Sequence, residues 1–222
     1  MTVTTFLSLA EALAWEEALW RQHRADSRGD GRTLFFWSSA PGLAVPRRHA
    51  TASGFATAAA ASAARGWPVA QRGSGGGCVP QGPAVLNVTW LPRPDGIEAI
   101  YRRLEQALLR ALAACGVEGE IRSPPGAWCR GCHDLCVGGR KVAGLSQRRD
   151  ATGRTLAHAA VFVGATPTEG LAAARRFLSE AAVDEDVRAA AACGLALPAI
   201  APFAAALSAA IDPQTVPAPA LR

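Results

Sequence analysis

Three consecutive glycines, Gly75 to Gly77, stand between two strand-like segments, and no other stretch restricts the fold of this chain as tightly. Residues without a Cβ let backbone N–H groups approach an anion or a flat ligand closely. The full run is Arg72-Gly-Ser-Gly-Gly-Gly-Cys78. A P-loop would continue with Gly-Lys-Ser/Thr, and a dinucleotide fingerprint would run into a helix. Here Ala84 to Leu91 (AVLNVTWL) predicts a strand instead, so neither nucleotide fold applies. Glycine runs in general are most often flexible hairpin tips. Arg72, directly before this one, adds the option of an anion site.

The other segments mix strands and helices without strict alternation. Phe6 to His23 predicts an amphipathic helix, with Phe6, Leu9, Leu13 and Trp20 on one side and Glu11, Glu16, Glu17 and Arg21 on the other. A polar loop follows from Arg24 to Arg32. Short strands are expected over Thr33 to Trp37, Gly42 to Val45 and Val69 to Arg72, and a small-residue helix over Ser53 to Arg65, closed by Gly66. Asp95 to Cys115 is the clearest helix, with Ile97, Ile100, Leu104, Leu108 and Leu112 on one face. Strands are then expected over Gly119 to Arg122, His133 to Val137, Lys141 to Arg148 and Thr155 to Val163, with Gly138-Gly139 as a hairpin turn. Helices are expected over Glu169 to Ala182 and Asp184 to Ile211, before a loose tail from Pro213 to Arg222. This order predicts an α+β fold: a mixed, largely antiparallel sheet flanked by helices.

Half of the 222 residues are hydrophobic and 18% are charged, which excludes a disordered chain and suffices for a large core. The apolar tract Ala189 to Ile211 is alanine-rich and broken by Gly194, Pro198 and Pro202, so no membrane span is expected. Glu11, Glu16 and Glu17 stand where an export signal needs a basic and then an apolar run, and a cytoplasmic location is expected. The net charge of +5 is scattered rather than striped, so an acidic protein or a phosphate-bearing small molecule accounts for it as well as nucleic acid does. Six cysteines in such a chain read as free thiols, a metal site or a nucleophile rather than disulfides.

Three further elements could carry chemistry. The hairpin Gly138-Gly-Arg-Lys-Val-Ala-Gly144 presents Lys141 at the start of a strand, either as a solvated charge or as a cation for a phosphate or developing oxyanion. Gly144 leaves room beside that strand. Cys129-Arg-Gly-Cys132-His133, followed by Cys136, matches a c-type haem pattern, which the missing export signal excludes. Zinc is a rival, but ligands on adjacent strand residues point to opposite faces. A single nucleophilic cysteine is the third option. His158 sits in the apolar strand Leu156-Ala-His-Ala-Ala-Val161, where a lone histidine is more often a hydrogen-bonded core residue than a catalytic one.

Taken in order, these elements resemble the biotin/lipoate A/B protein ligase family, above all lipoate–protein ligase A and the cysteine-dependent octanoyltransferases. Gln71-Arg-Gly-Ser-Gly-Gly-Gly77 is similar to the family's Arg-Ser/Thr-Gly-Gly-Gly signature, Lys141-Val-Ala-Gly-Leu-Ser-Gln147 to its Lys-x-x-Gly-Ser-Ala element, and Leu156-Ala-His-Ala-Ala-Val161 to its histidine-led strand. The resemblance implies the class II biotin/lipoate ligase catalytic fold, with residues 1–182 as catalytic domain and 183–222 as a small helical extension and tail. It implies transfer of a lipoyl or octanoyl group onto a lysine of an acidic lipoyl carrier domain, of the E2 or H-protein type. In a ligase, ATP and Mg2+ would give an acyl-adenylate. Arg72, Ser74, Gly75, Gly76 and Gly77 would then hold acyl chain and phosphate, and Lys141 would bridge the mixed anhydride's oxygens. Gly144 and His158 would complete the binding site, and no metal ligand set is expected.

The ligase reading leads, but this chain departs from the pattern. Gln81-Gly82 replaces the His-Asp pair that follows the glycines in ligases, and Ala159 stands where the family has glycine. Little chain is left for a C-terminal domain, so a separate accessory subunit is a further expectation. An alternative is an octanoyltransferase using octanoyl-acyl carrier protein through a Cys129 thioester, which requires no cofactor. Cys132 is the substitute nucleophile. A lapsed acyl- or carrier-binding module is the non-enzymatic reading.

Overall fold

The computed structural model describes residues 2–25, 33–129, 131–185, 187–188, 191–197 and 200–211. The chain opens with β1 (Val3–Phe6), α1 (Leu9–Ala25), β2 (Thr33–Ser39) and β3 (Gly42–Pro46). After a 3₁₀ turn at Arg47–Thr51 come α2 (Phe55–Ala64), β4 (Val69–Arg72), β5 (Val79–Gln81) and β6 (Val85–Leu91). Helix α3 (Ile97–Ala114) precedes β7 (Glu120–Ile121), β8 (Leu135–Val137), β9 (Arg140–Arg149) and β10 (Thr155–Phe162). Helices α4 (Thr168–Glu180) and α5 (Ile200–Ile211) complete the described elements.

A seven-stranded sheet runs β1-β2-β6-β10-β9-β8-β7, and a three-stranded sheet runs β4-β3-β5. Among the described strands, β1–β2 in the large sheet and β3–β4 in the small one pair in parallel and the other pairs are antiparallel. The fold is thus α+β with a mixed, largely antiparallel sheet, as the element order predicts. Because side chains alternate along a strand, β6 and β10 serve two layers. Leu86, Val88, Trp90, Ala157, Ala159 and Val161 join α3 and α5 in one core, while Val85, Ala160 and Phe162 join the small sheet, α2 and α4 in another. Helix α5 packs on α3 through Phe203, Ala204, Leu207 and Ile211.

Three expectations change. Phe6 ends a strand rather than starting a helix, because Val3–Phe6 finds a parallel partner in β2. Val79–Gln81 forms the unforeseen β5, antiparallel to β3. The helix expected over Asp184 to Ile211 shrinks to α5. Its earlier part instead stitches onto the sheet: Lys141 bridges Ala192, Val163 bridges Leu195, and the Cys193 N–H donates to the Lys141 carbonyl at 3.0 Å. Alanine-rich composition favours helix only weakly, and tertiary pairing overrides it. The tail expected from Pro213 to Arg222, and most of the loop from Arg24 to Arg32, lie outside the described residues.

Candidate active site

The glycine loop leaving β4 and the turn ending at Cys129 meet edge to edge. The Gly77 N–H donates to Cys129 Sγ at 2.9 Å. A Cβ on Gly76 would fall 2.7 Å from that sulfur, and its φ of +98° already suits glycine, so only glycine fits here. Cys129 itself has a φ of +44°, rare for a residue with a side chain and characteristic of sites whose surroundings over-determine the backbone. Arg72 is buried and faces carbonyls: Ala44 O at 2.7 Å, and Gly75 O and Gly77 O each at 2.8 Å. Its guanidinium therefore shapes the loop, and it approaches Cys129 Sγ only at 3.8 Å.

Lys141 is 0% exposed. Its Nζ reaches Asp134 Oδ1 at 2.7 Å and donates to Trp128 O and Cys129 O, each at 2.8 Å. Those contacts match the three donors of an ammonium, leaving none for a ligand in this arrangement. The cation also lies 4.2 Å from the Trp128 ring centroid, and Trp128 stacks on Phe162. Burial pushes the Asp134 carboxyl above its ordinary value, against the pull of Lys141 and of the Gly131 N–H. A Cβ on Gly144 would come within 3.0 Å of Lys141 Nζ, so this glycine makes room for the ammonium.

His158 belongs to a second polar group, spread over β2, β6, β10 and α1. Its Nδ1 lies 2.8 Å from Glu16 Oε1 and its Nε2 3.1 Å from Asn87 Oδ1. Thr89 Oγ1 donates to Glu16 at 2.5 Å and accepts from Trp37 Nε1 at 2.9 Å, while Asn87 Nδ2 donates to Gln81 Oε1 at 2.8 Å. Burial raises the Glu16 carboxyl, but the charge and hydrogen bond of His158, with Thr89 and Arg72, outweigh it and hold Glu16 below its ordinary range.

Cys129, Trp128, Gly144, His158, Trp37, Val79 and Ala160 all line one cleft of about 20 Å³. Leu13 and Arg72 line this cleft and also an adjoining pocket of about 330 Å³, where Ser74 and Arg148 lie. The buried Ser74 Oγ has no hydrogen-bond partner among the described residues.

The fold therefore brings Arg72, the glycine loop, Cys129, Lys141, Gly144 and His158 to one place, with Ser74 on its margin. It separates the other members of the cysteine cluster. Cys132 is exposed, Cys136 is buried against Arg122 O, and His133 stacks on Tyr101 and bonds Glu105 at 2.7 Å. Among the described residues, no group of three or more His, Cys, Asp or Glu could hold a metal ion.

Sequence reasoning missed Glu16, Asn87, Thr89, Asp134 and Glu185. Glu16 was expected on the polar side of its helix, yet it is 7% exposed. Its signal was available, since Leu9, Ala12, Glu16, Trp20 and His23 form one buried stripe at helical spacing. Asn87 and Thr89, two apart in an apolar strand, likewise mark one polar face. Asp134 and Glu185 carry no local signal.

Comparison with known proteins gives a consistent result. Residues 8–202 match the family model for the lipoyl protein ligase A/B catalytic domain. An octanoyl-[GcvH]:protein N-octanoyltransferase of Kyrpidia tusciae is 30% identical over 202 residues, covering 86% of this chain and 69% of that protein. Among solved structures, the bi-partite lipoate protein ligase of Thermoplasma acidophilum aligns with a TM-score of 0.65 at 19% identity, over 95% of this chain and 82% of that one. Lipoate-protein ligase A bound with ATP aligns with a TM-score of 0.58 at 17% identity, over 96% and 95%. At these identities the structural likeness is one of fold.

Proposed function

This chain belongs to the lipoyl protein ligase A/B catalytic domain family, whose enzymes lipoylate or octanoylate proteins, and we propose that it is an acyltransferase working through a Cys129 thioester. The observation that carries this reading is the Gly77 N–H held 2.9 Å from Cys129 Sγ, at the mouth of a mostly apolar cleft. A hydrogen bond of this kind aims the sulfur at whatever enters the cleft, and a thiolate is the attacking form of a cysteine nucleophile. The Cys129 thiolate attacks the donor's acyl carbonyl, forming a C–S bond as the bond from the acyl carbon to the carrier's nitrogen or sulfur breaks, and the leaving group takes up the proton that the thiol released. The amine of the acceptor lysine then attacks the thioester, breaks the C–S bond and loses a proton to give the amide. Lys141 and Asp134 act by fixing the carbonyls on either side of the nucleophile's peptide bond.

The fit to ATP is poor. The Cys78 N–H is taken by the Glu185 carboxylate at 2.9 Å, the Gly77 N–H by the thiol, and Arg72 by three carbonyls. Arg48, His49, Asp184 and Glu185 line the space behind the loop, so two carboxylates would face a phosphate placed there. The Kyrpidia relative's name gives octanoyl-[GcvH] as donor and a protein as acceptor, and the same classes are taken here, with a lipoyl domain as the acceptor protein.

At about 20 Å³ the cleft has room for about one water, and Leu13 and Arg72 line both it and the adjoining pocket of about 330 Å³, through which an acyl chain would reach Cys129. Each methylene then buried contributes about 0.8 kcal/mol.

The deciding experiment compares donors by intact mass, with an apo lipoyl domain as acceptor. Octanoyl-H-protein or octanoyl-acyl carrier protein should leave a hydroxylamine-labile adduct on Cys129. Cys129→Ser should form no adduct and lower transfer by about a thousandfold or more. Efficient transfer from free lipoate and ATP by the Cys129→Ser variant would sink the proposal.

A further inference from the structure

Glu185 lies in the stretch after α4 and reaches back to the glycine loop. Its side chain is 14% exposed. The carboxylate accepts from the Cys78 N–H through both oxygens, at 2.9 and 3.2 Å, and lies beside the Cys129 backbone N–H. His49 Nε2 stands 3.4 Å from it. The fit is close, since a Cβ on Gly77 would fall 1.7 Å from Glu185 Oε1.

The backbone of Cys129 is therefore bracketed. Its carbonyl is held by the buried Lys141 ammonium at 2.8 Å, and the largely buried Glu185 carboxylate stands beside its N–H while bonding the Cys78 N–H. A φ of +44° at a cysteine persists only where its neighbours insist on it, and these two groups supply that insistence. The same carboxylate spans to Cys78, the residue after Gly77. It thereby sets the separation between the loop that donates the Gly77 N–H and the turn that carries the thiol.

We propose that Glu185 is a positioning residue for acyl transfer, tying the glycine loop to the Cys129 backbone so that the Gly77 N–H meets the sulfur. This rests on the reading of Cys129 as nucleophile. Charge alone would give Glu185 the opposite influence, because a carboxylate repels the negative charge carried by an attacking sulfur, so removing it would speed attack. The two roles therefore predict opposite signs for the same substitution.

The test is the rate of iodoacetamide alkylation of Cys129, resolved by peptide mass spectrometry from neutral to alkaline pH. The full chain is used, with exposed Cys132 as the internal control. Glu185→Gln keeps the shape but loses acceptor capacity. It should alkylate at Cys129 about tenfold more slowly, with Cys132 unchanged. The kcat for octanoyl transfer should fall by a similar factor while the donor KM stays within about twofold. Glu185→Asp, which keeps the carboxylate, should recover part of the loss.

Faster alkylation in Glu185→Gln, or an unchanged rate together with unchanged kcat, would overturn the proposal. Glu185→Gln is the deciding variant if Glu185→Ala fails to fold. Absence of a thioester on wild-type Cys129 would instead overturn the functional reading, while the alkylation rates would still report on Glu185.

Discussion

Strands β6 and β10 each belong to two different environments. Toward α3 and α5 they present Leu86, Val88, Trp90, Ala157, Ala159 and Val161, packed against Phe203, Ala204 and Leu207 in a core of apolar side chains. Toward the cleft the same strands present Asn87, Thr89 and His158, equally buried but joined through hydrogen bonds to Glu16, Gln81 and Trp37. A deletion on the first face leaves a void, whose cost depends on the volume lost. A deletion on the second leaves a buried polar group without its partner, a cost set by desolvation. Stability and chemistry are thus divided between two sides of one sheet, and a shift of one residue in register would exchange them.

The largest effect should come from the charged part of the cleft side. Lys141→Met leaves Asp134 buried and unpaired, and should cost about 3–5 kcal/mol in urea unfolding along with transfer activity. Lys141→Met combined with Asp134→Leu should recover much of that stability but none of the transfer. Recovery of both would erase the division between the faces.

On the helix side, Phe203→Ala should cost about 3 kcal/mol by cavity formation. Transfer per folded molecule should stay within about twofold of wild type, since Phe203 touches nothing in the cleft. A larger loss of turnover in the fraction that remains folded would show the two faces to be coupled.

An effect confined to acid conditions concerns His49. Burial, with the charges of Arg48 and Arg72, holds His49 down to about 4 from an ordinary 6.5. Below pH 6.5 the unfolded chain takes up a proton that the folded protein refuses until about pH 4, so stability is lost as pH falls through that window. His49→Gln should flatten this fall in urea midpoints. The helix-side cluster contains no carboxylate or imidazole, so Phe203→Ala should leave the slope unchanged.

The same two faces explain what the sequence could show. Period-two alternation in Val85–Leu91 and the helical stripe of α3 were legible because each follows from local spacing. So were the glycine loop, Lys141 and His158, because their order along the chain is distinctive. The partners that define their roles were not legible. Asp134 and the Trp128 and Cys129 carbonyls reach Lys141 only through the folded turn, and Arg72 turns onto carbonyls that no spacing rule identifies. Glu185 arrives from a stretch whose alanines read as helix, where pairing with the sheet decides the conformation instead.

That late stretch has a consequence for synthesis. The edge of β9 at Lys141 is closed by Ala192 and Cys193, and Leu195 is joined to Val163. A ribosome delivers Cys129 and the glycine loop before these residues, and domains generally fold as units. A nascent chain that has passed Lys141 but not Leu195 lacks the segment that closes the edge of β9. The buried lysine's strand therefore stays open on that side until the segment has been made.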